Sequence, residues 1–293
     1  MTRSKPIIKA AARAAQILPD GFKRLLYRLP FVAKTIRRTL NAAVPAGLTE
    51  VQIAAGPARG LMMALDLHAE KDYWLGTYEP ELGQAAKKLI APGSVVYDVA
   101  ANIGYISLMC AGLAGTHGHV YAFEALPGNV ERLQQNVTLN GLSGRISVTH
   151  AAVTNQNQPV TFYTHRSGAM GKVAGSAGRD ETYLDSISVN GIALDTFAFG
   201  SEKRIPDLIK MDIEGGEGLA LQGATVLLAE AKPALLIELH GEEAARQVWD
   251  ILTKNGYRIH LLTRGYPQVT DLNALDWKAY IAAVHPSHLS ALI

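Results

Sequence analysis

An α/β fold, a doubly wound and mostly parallel seven-stranded sheet, is predicted by three features of this 293-residue sequence. Short apolar runs alternate with helix-length stretches, the runs are continuous rather than alternating in hydrophobicity, and no helix-length pattern separates the last two. Continuous apolar strands are buried on both faces, and helices between them supply the right-handed crossovers of a parallel sheet. A final pair without a helix between its members must turn back, so the sheet is expected to close with an antiparallel strand.

The chain opens on a different texture. Phe22, Leu25, Leu26 and Leu29 fall on one helical stripe with Lys23, Arg24 and Arg28 off it, and Val32, Ile36 and Leu40 extend a second helix after Pro30. Residues 1–48 therefore read as a basic amphipathic helical extension and 49–293 as the main domain. Residues 1–45 carry ten basic side chains against Asp20 alone, a charge of +9 that leaves −7 for the rest, while the whole chain is only +2. That balance excludes a chain-wide attraction to nucleic acid or acidic membranes and confines any anion-seeking surface to the arm. The arm is expected to cap the main domain with its apolar face, with membrane-surface contact as the alternative.

At 48% hydrophobic residues the chain is neither disordered nor fibrous. A single cysteine, Cys110, rules out an intrachain disulfide and a thiolate metal site, and it reads as a small buried apolar side chain. No apolar run approaches the roughly 18 residues of a membrane span, and charges interrupt any signal core. A cytoplasmic location, with peripheral membrane contact through residues 1–45 as its variant, is the expectation.

From Val51, VQIAA, a Gly56-Pro57 break and LMMALDL predict a β-hairpin, and residues 79–90 predict a helix stopped by Pro92-Gly93. Strands are predicted at 94–100, 119–125, 145–151, 207–213, 234–240, 257–263 and 277–285. Helices are predicted near 104–114, 127–140, 216–230 and 242–255. Residues 165–180, with four glycines and no apolar period, read as a mobile loop near the strand ends.

Ligands of open parallel sheets bind outside the carboxyl ends of the strands at the switch point, so the first βα turn, Asp98 to Gly104, matters most. Small residues there let backbone approach a ligand, and helix-start amides can donate to a carboxylate. Glu124 ends the next strand, where a carboxylate can accept both hydroxyls of a ribose. A pyrophosphate would want the G-x-G-x-x-G pattern, but Ala100 and Ala101 stand in this turn, and Asp98 suits a cofactor's ammonium better than a diphosphate.

DVAANIGYISL, VYAFEALPGNVERLQQNVTLNG, DLIKMDIEGGE and the upstream YWLGTYEPEL resemble the FkbM family of S-adenosylmethionine-dependent methyltransferases, over about residues 50–245. The resemblance implies a Rossmann-like class I methyltransferase fold and S-adenosyl-L-methionine as cofactor. It implies that Asp98, Ala100, Asn102 and Gly104 line the methionine end and that Glu124 holds the ribose. Ala100 departs from the family's usual glycine, so either the backbone there is ordinary or cofactor affinity is reduced. Tyr73, Trp74, Tyr78 and Glu79 resemble a segment lying over the cofactor, with ordinary packing of the aromatics as the alternative.

Methyl transfer requires an aligned nucleophile, a proton acceptor for a hydroxyl, and exclusion of water. Residues two apart on a strand share a face, so Lys210 and Asp212 point together, as do Glu238 and His240, with Glu214 following in the turn. Asp212 and Glu214 lead as catalytic groups, with His240 a candidate base and Lys210 the fourth member of the catalytic set; a Lys210–Glu238 ion pair and a strand-capping His240 form the bland alternative. Asp212, Glu214 and His240 could also hold magnesium or manganese. Their spacing is no metal motif, and the site reads as metal-free.

The family's association with saccharide and natural-product methylation implies O-methylation of a sugar or other small-molecule hydroxyl. RNA ribose methylation, borrowing the basic arm, is the second reading. The arm offers only Phe22, Tyr27 and Phe31 for base stacking, so nucleic acid is not the expected partner. A noncatalytic cofactor-binding or scaffold protein, suggested by Ala100, is the third. A homo-oligomer is compatible with all three.

Overall fold

The computed structural model describes residues 47–165, 171–178, 183, 185–200, 205–276, 278–287 and 292. The basic arm, apart from Gly47 and Leu48, lies outside them. The chain divides into two compact units, Met1–Pro80 and Glu81–Ile293.

In the first unit, β1 (Leu48–Gln52) and β2 (Met62–Asp66) form the predicted antiparallel hairpin, with Val51 opposite Met63. The short helix α1 (Lys71–Leu75) follows and buries Trp74 and Leu75. It ends at Gly76, whose backbone lies so close to Ala55 that a β-carbon would fall 1.9 Å from the Ala55 carbonyl oxygen, at a φ of +67°. Only glycine fits there.

The second unit begins with α2 (Pro80–Leu89), whose Glu81 and Lys87-Lys88 complement the helix dipole at either end. Then come β3 (Val95–Val99), α3 (Tyr105–Ala114), β4 (His119–Glu124), α4 (Pro127–Leu139) and β5 (Ile146–His150). After these the chain forms β6 (Ala152–Val153), β7 (Pro159–Thr164), β8 (Gly171–Val173), β9 (Asp185–Ile192) and α5 (Leu194–Phe199). It continues through β10 (Leu208–Met211), α6 (Glu217–Gln222), β11 (Ala234–Glu238), α7 (Glu242–Lys254), β12 (Arg258–Leu261), β13 (Gln268–Val269) and β14 (Tyr280–Val284).

The main sheet runs β13-β12-β14-β11-β10-β3-β4-β5. Strands β11, β10, β3, β4 and β5 are parallel, and β14 inserts antiparallel between β11 and β12. The order reverses between β3 and β10, so the switch point lies at their carboxyl ends. Tyr97, Val99, Ile209, Met211, Leu235 and Ile237 join residues of α5, α6 and α7 in one apolar cluster on one face. The alternate residues Val96, Asp98, Leu208, Lys210 and Leu236 point the other way and are buried as well. Burial on both faces is what their continuous hydrophobicity requires.

Three expectations are corrected. The sheet has eight strands rather than seven, because the two-residue β13 adds an edge beside β12. The helix read over 216–230 breaks after Gln222 at Gly223 and resumes as a π-helical turn at Leu227–Ala231. The loop read over 165–180 contains β8, which pairs with β7 in a second sheet ordered β6-β9-β7-β8. Val160, Phe162, Val173 and Val189 give that sheet its own small core. No described helix is long and apolar enough to cross a membrane.

Candidate active site

The turn after β3 is pinned from several directions. Ala101 N–H donates to the Phe123 carbonyl (2.9 Å), and Gly104 N–H donates to that of Ala101 (2.9 Å). The turn runs through the left-handed region three times in five residues, with φ of +58° at Ala100, +49° at Asn102 and +93° at Gly104. Ala100 thus takes the conformation that its missing glycine would favour, at a cost of roughly 1–2 kcal/mol. The backbone there is not ordinary, which settles the first half of the alternative raised by this alanine. At Gly104 a β-carbon would sit 2.4 Å from Leu133 Cδ1, so any other residue at the start of α3 would have to shift that leucine as well as hold a strained φ of +93°.

Asp98 is fully buried. Ser107 Oγ, one turn into α3, donates to its Oδ2 at 2.5 Å. Its Oδ1 has no hydrogen-bond partner but lies 3.6 Å from Lys210 Nζ, which neighbours it across the parallel ladder. Lys210 Nζ also donates to the Ala100 carbonyl (3.1 Å) and lies 4.0 Å from Asp212 Oδ2. The protein's own ammonium therefore stands beside the carboxylate expected to meet a cofactor's, and it ties the β3 turn to the end of β10.

Glu124 closes β4 as expected. Its Oε2 accepts from Asn102 N–H (2.8 Å) and its Oε1 from Leu126 N–H (2.9 Å), with Asn129 Nδ2 at 3.4 Å. A carboxylate has about four acceptor sites, so Oε2, with one donor, keeps capacity for a further one, while Oε1 already meets two. Burial pushes the Glu124 carboxyl above its ordinary range, partly offset by the hydrogen bonds from Leu126, Asn102 and Asn129 and by the charge of Lys210.

The ends of β10 and β11 bring the predicted catalytic residues together around His240, which is 2% exposed. Its Nε2 lies 3.5 Å from Glu238 Oε1, 3.6 Å from Asp212 Oδ1 and 3.7 Å from Glu214 Oε2. Its Nδ1 lies 3.1 Å from Glu217 Oε1, which also accepts from Gly215 N–H at 3.1 Å. Burial alone would depress the imidazole, but hydrogen bonding to Glu217 and Glu238 and the charges of Glu217 and Asp212 outweigh it and push the ring up to about 11. The surrounding carboxylates thus favour the protonated imidazole. Burial would raise Glu238, yet its bonds to His240 and the Tyr280 hydroxyl hold it below the usual range. Asp212, Glu238 and His240 can each turn one donor atom inward, all within 4.8 Å of one another.

Glu217, Ser107 and Tyr280 were missed in the sequence. Glu217 had a visible signal, an acid opening a helix after Gly215-Gly216, but its complete burial was not legible. Tyr280 faces Glu238 only because β14 inserts beside β11. Tyr78 and Glu79 belong to the first unit, where the Tyr78 ring packs 4.4 Å from that of Tyr73 and Glu79 has a φ of +40°. Cys110 is buried, and burial with the charge of Asp98 pushes its thiol far above the ordinary range, as expected of an inert side chain.

The second sheet reaches the same end of the molecule. Ala177 N–H donates to the Gly215 carbonyl at 2.9 Å. A β-carbon on Gly178 would fall 2.1 Å from the Glu214 carbonyl oxygen, and one on Gly241 would fall 3.1 Å from that of Ala177. The segment after β8 thus lies against the turns that carry Glu214 and His240.

A profile of the methyltransferase FkbM domain matches residues 98–259. The hexuronic acid methyltransferase AglP of Haloferax volcanii is 25% identical over 166 residues, 55% of this chain and 62% of that protein. The structure of methyltransferase FkbM from Methylobacillus flagellatus aligns with a TM-score of 0.45 at 21% identity, over 75% of this chain and 56% of that one. A S-adenosylmethionine-dependent O-methyltransferase of Thermotoga maritima aligns at 0.41 with 15% identity, over 87% and 81%. The chain thus spans about six tenths of the curated relative's length. The profile match covers more than half of the sequence and runs from Asp98 into β12, and the chain belongs to the FkbM methyltransferase family.

Proposed function

We propose that the chain is an S-adenosylmethionine-dependent O-methyltransferase acting on a hydroxyl of a sugar, with a uronic acid as the first acceptor class to test. One observation carries the reading: Lys210 links the strained β3 turn to the acid-rich ends of β10 and β11. The turn expected to hold the cofactor and a set of ionisable groups thereby share the switch point.

The residues fit the cofactor. Asp98 Oδ1 is a buried acceptor with no hydrogen bond of its own, Gly104 adds no side chain to the turn, and Glu124 Oε2 retains a lone pair for a ribose hydroxyl. Asp98, Ala100, Asn102, Gly104 and Glu124 would hold the cofactor, which when bound supplies a methyl group on a sulfonium sulfur. The side chains of Asp212 and Glu214 are each 23% exposed and can reach an acceptor. With that methyl group offered to the acceptor oxygen, Asp212 would take the hydroxyl proton. His240 orients Asp212 and Glu214 while Glu217 holds the ring from behind. Alignment and proton removal are the two effects demanded of these side chains.

The uronic acid class comes from AglP, whose name states that substrate for that protein. Calorimetry should detect S-adenosylmethionine binding at micromolar concentration. Incubation with uronic acids and their conjugates should yield a methyl ether. Absence of cofactor binding at millimolar concentration would sink the proposal, and transfer only to other hydroxyls would remove the uronate assignment.

A further inference from the structure

Around the ends of β10 and β11 the carboxylates of Asp212, Glu214, Glu217 and Glu238 converge on one imidazole. The nearby Lys210 is divided between Asp98, Asp212 and the Ala100 carbonyl. The donor atoms of Asp212, Glu238 and His240 all lie within 4.8 Å of one another, so a cation centred among them would meet all three. We propose that Asp212, Glu238 and His240 form a binding site for one divalent cation of the magnesium or manganese class, with Glu214 at its edge and Glu217 orienting the imidazole.

Three independent features support the site. The first is direction. Glu217 Oε1 engages Nδ1 at 3.1 Å, which turns Nε2 toward the carboxylates. Carboxylate support of the far ring nitrogen is how metal-ligating histidines are commonly oriented. The second is spacing. The separation of 3.5 Å from Nε2 to Glu238 is at the outer limit of a hydrogen bond, and those of 3.6 and 3.7 Å to Asp212 and Glu214 lie beyond it. They are near the roughly 3.0–3.5 Å between donors that share one cation through bonds of about 2.0–2.2 Å. The third is preorganisation with access. Tyr280 fixes Glu238 and the Gly215 N–H fixes Glu217, while the side chains of Asp212 and Glu238 remain 23% and 16% exposed. Three oxygens with one imidazole suit a hard or borderline cation that keeps open positions for a substrate oxygen.

The site rests on its donor set alone. Its role, binding the acceptor hydroxyl and making it more acidic, rests on the methyltransferase reading. The test uses the full chain and Mn2+, followed by electron paramagnetic resonance, with S-adenosylmethionine calorimetry run separately on every sample. One bound Mn2+ per chain is expected. Glu238→Gln and His240→Ala should each weaken it at least tenfold, and Glu217→Gln by about 10–100-fold through the second ring nitrogen. Should His240→Ala fail to fold, Glu238→Gln, at the partly exposed rim, carries the same comparison.

No bound Mn2+ at millimolar metal, on a chain that binds S-adenosylmethionine, overturns the cation site and leaves the methyltransferase reading standing. Full Mn2+ binding by folded Glu238→Gln overturns it as well. Mn2+ binding that these variants weaken, on a chain that ignores S-adenosylmethionine, supports the site and defeats the other reading.

Discussion

The β3 turn and the β10–β11 end lie side by side, yet they handle buried charge in opposite ways. Around the turn each acid is answered: Asp98 by Ser107 and Lys210, Glu124 by two backbone amides. Stress is stored in the backbone instead, at Ala100 and Asn102. At the neighbouring end the backbone is strained at Glu214 alone, and four carboxylates compete for one imidazole. A cradle that only binds gains from being complete before its ligand arrives. A centre that moves protons needs ionisable groups that reach one another and a substrate.

Asp212→Asn would break this contrast most severely. Turnover should fall by about 10²–10⁴-fold with cofactor affinity almost unchanged, as read by steady-state kinetics and calorimetry. Wild-type turnover would remove Asp212 from the chemistry. Lys210→Met tests the link between the regions. It leaves Asp98 as an unanswered buried carboxylate, at a cost of about 3–5 kcal/mol in denaturant unfolding, most of which Asp98→Asn in the same chain should restore. An equal loss in single and double variants would show that Lys210 serves packing instead.

Glu124 sharpens the comparison through pH. Its raised ionisation makes the charged form the costlier one in the fold, so its contribution to stability is full below its ordinary range and declines as pH climbs through the raised value. S-adenosylmethionine, donating ribose hydroxyls to the ionised form, should bind more tightly above that value. Glu124→Gln should flatten both slopes, and a variant that kept the wild-type slope of affinity would detach Glu124 from the ribose. The smallest effect is expected of Ala100→Gly. Relief of the positive φ, less the added freedom of glycine in the unfolded chain, should leave about 1 kcal/mol or less of stabilisation, with cofactor affinity equal or slightly better. Loss of stability would mean that the alanine methyl is packed rather than strained.

Much of this was legible because the main sheet is buried on both faces. The runs at 94–100, 207–213 and 234–240 announce their strands, and the two-residue alternation correctly places Lys210 with Asp212 and Glu238 with His240. Pairing between strands was not legible. Nothing local says that Lys210 sits opposite Asp98, or that β14 brings Tyr280 to Glu238. The second sheet escaped for another reason. Val160 and Phe162 alternate with exposed neighbours in β7, a weaker pattern than a continuous run, and the glycines after it mask β8. The raised ionisation of His240 is a collective property of four side chains from three segments, Asp212, Glu217, Glu238 and His240 itself, which no single stretch of sequence contains.

Where Gly178 meets Gly215, backbone rests on backbone with no room for even one methyl on either partner. Such a seam transmits displacement without cushioning. A graft that exchanged the β7–β9 insert for a relative's would drag the Glu214 loop along with it, so any retuning of that insert must preserve the bare contact or redesign both sides together.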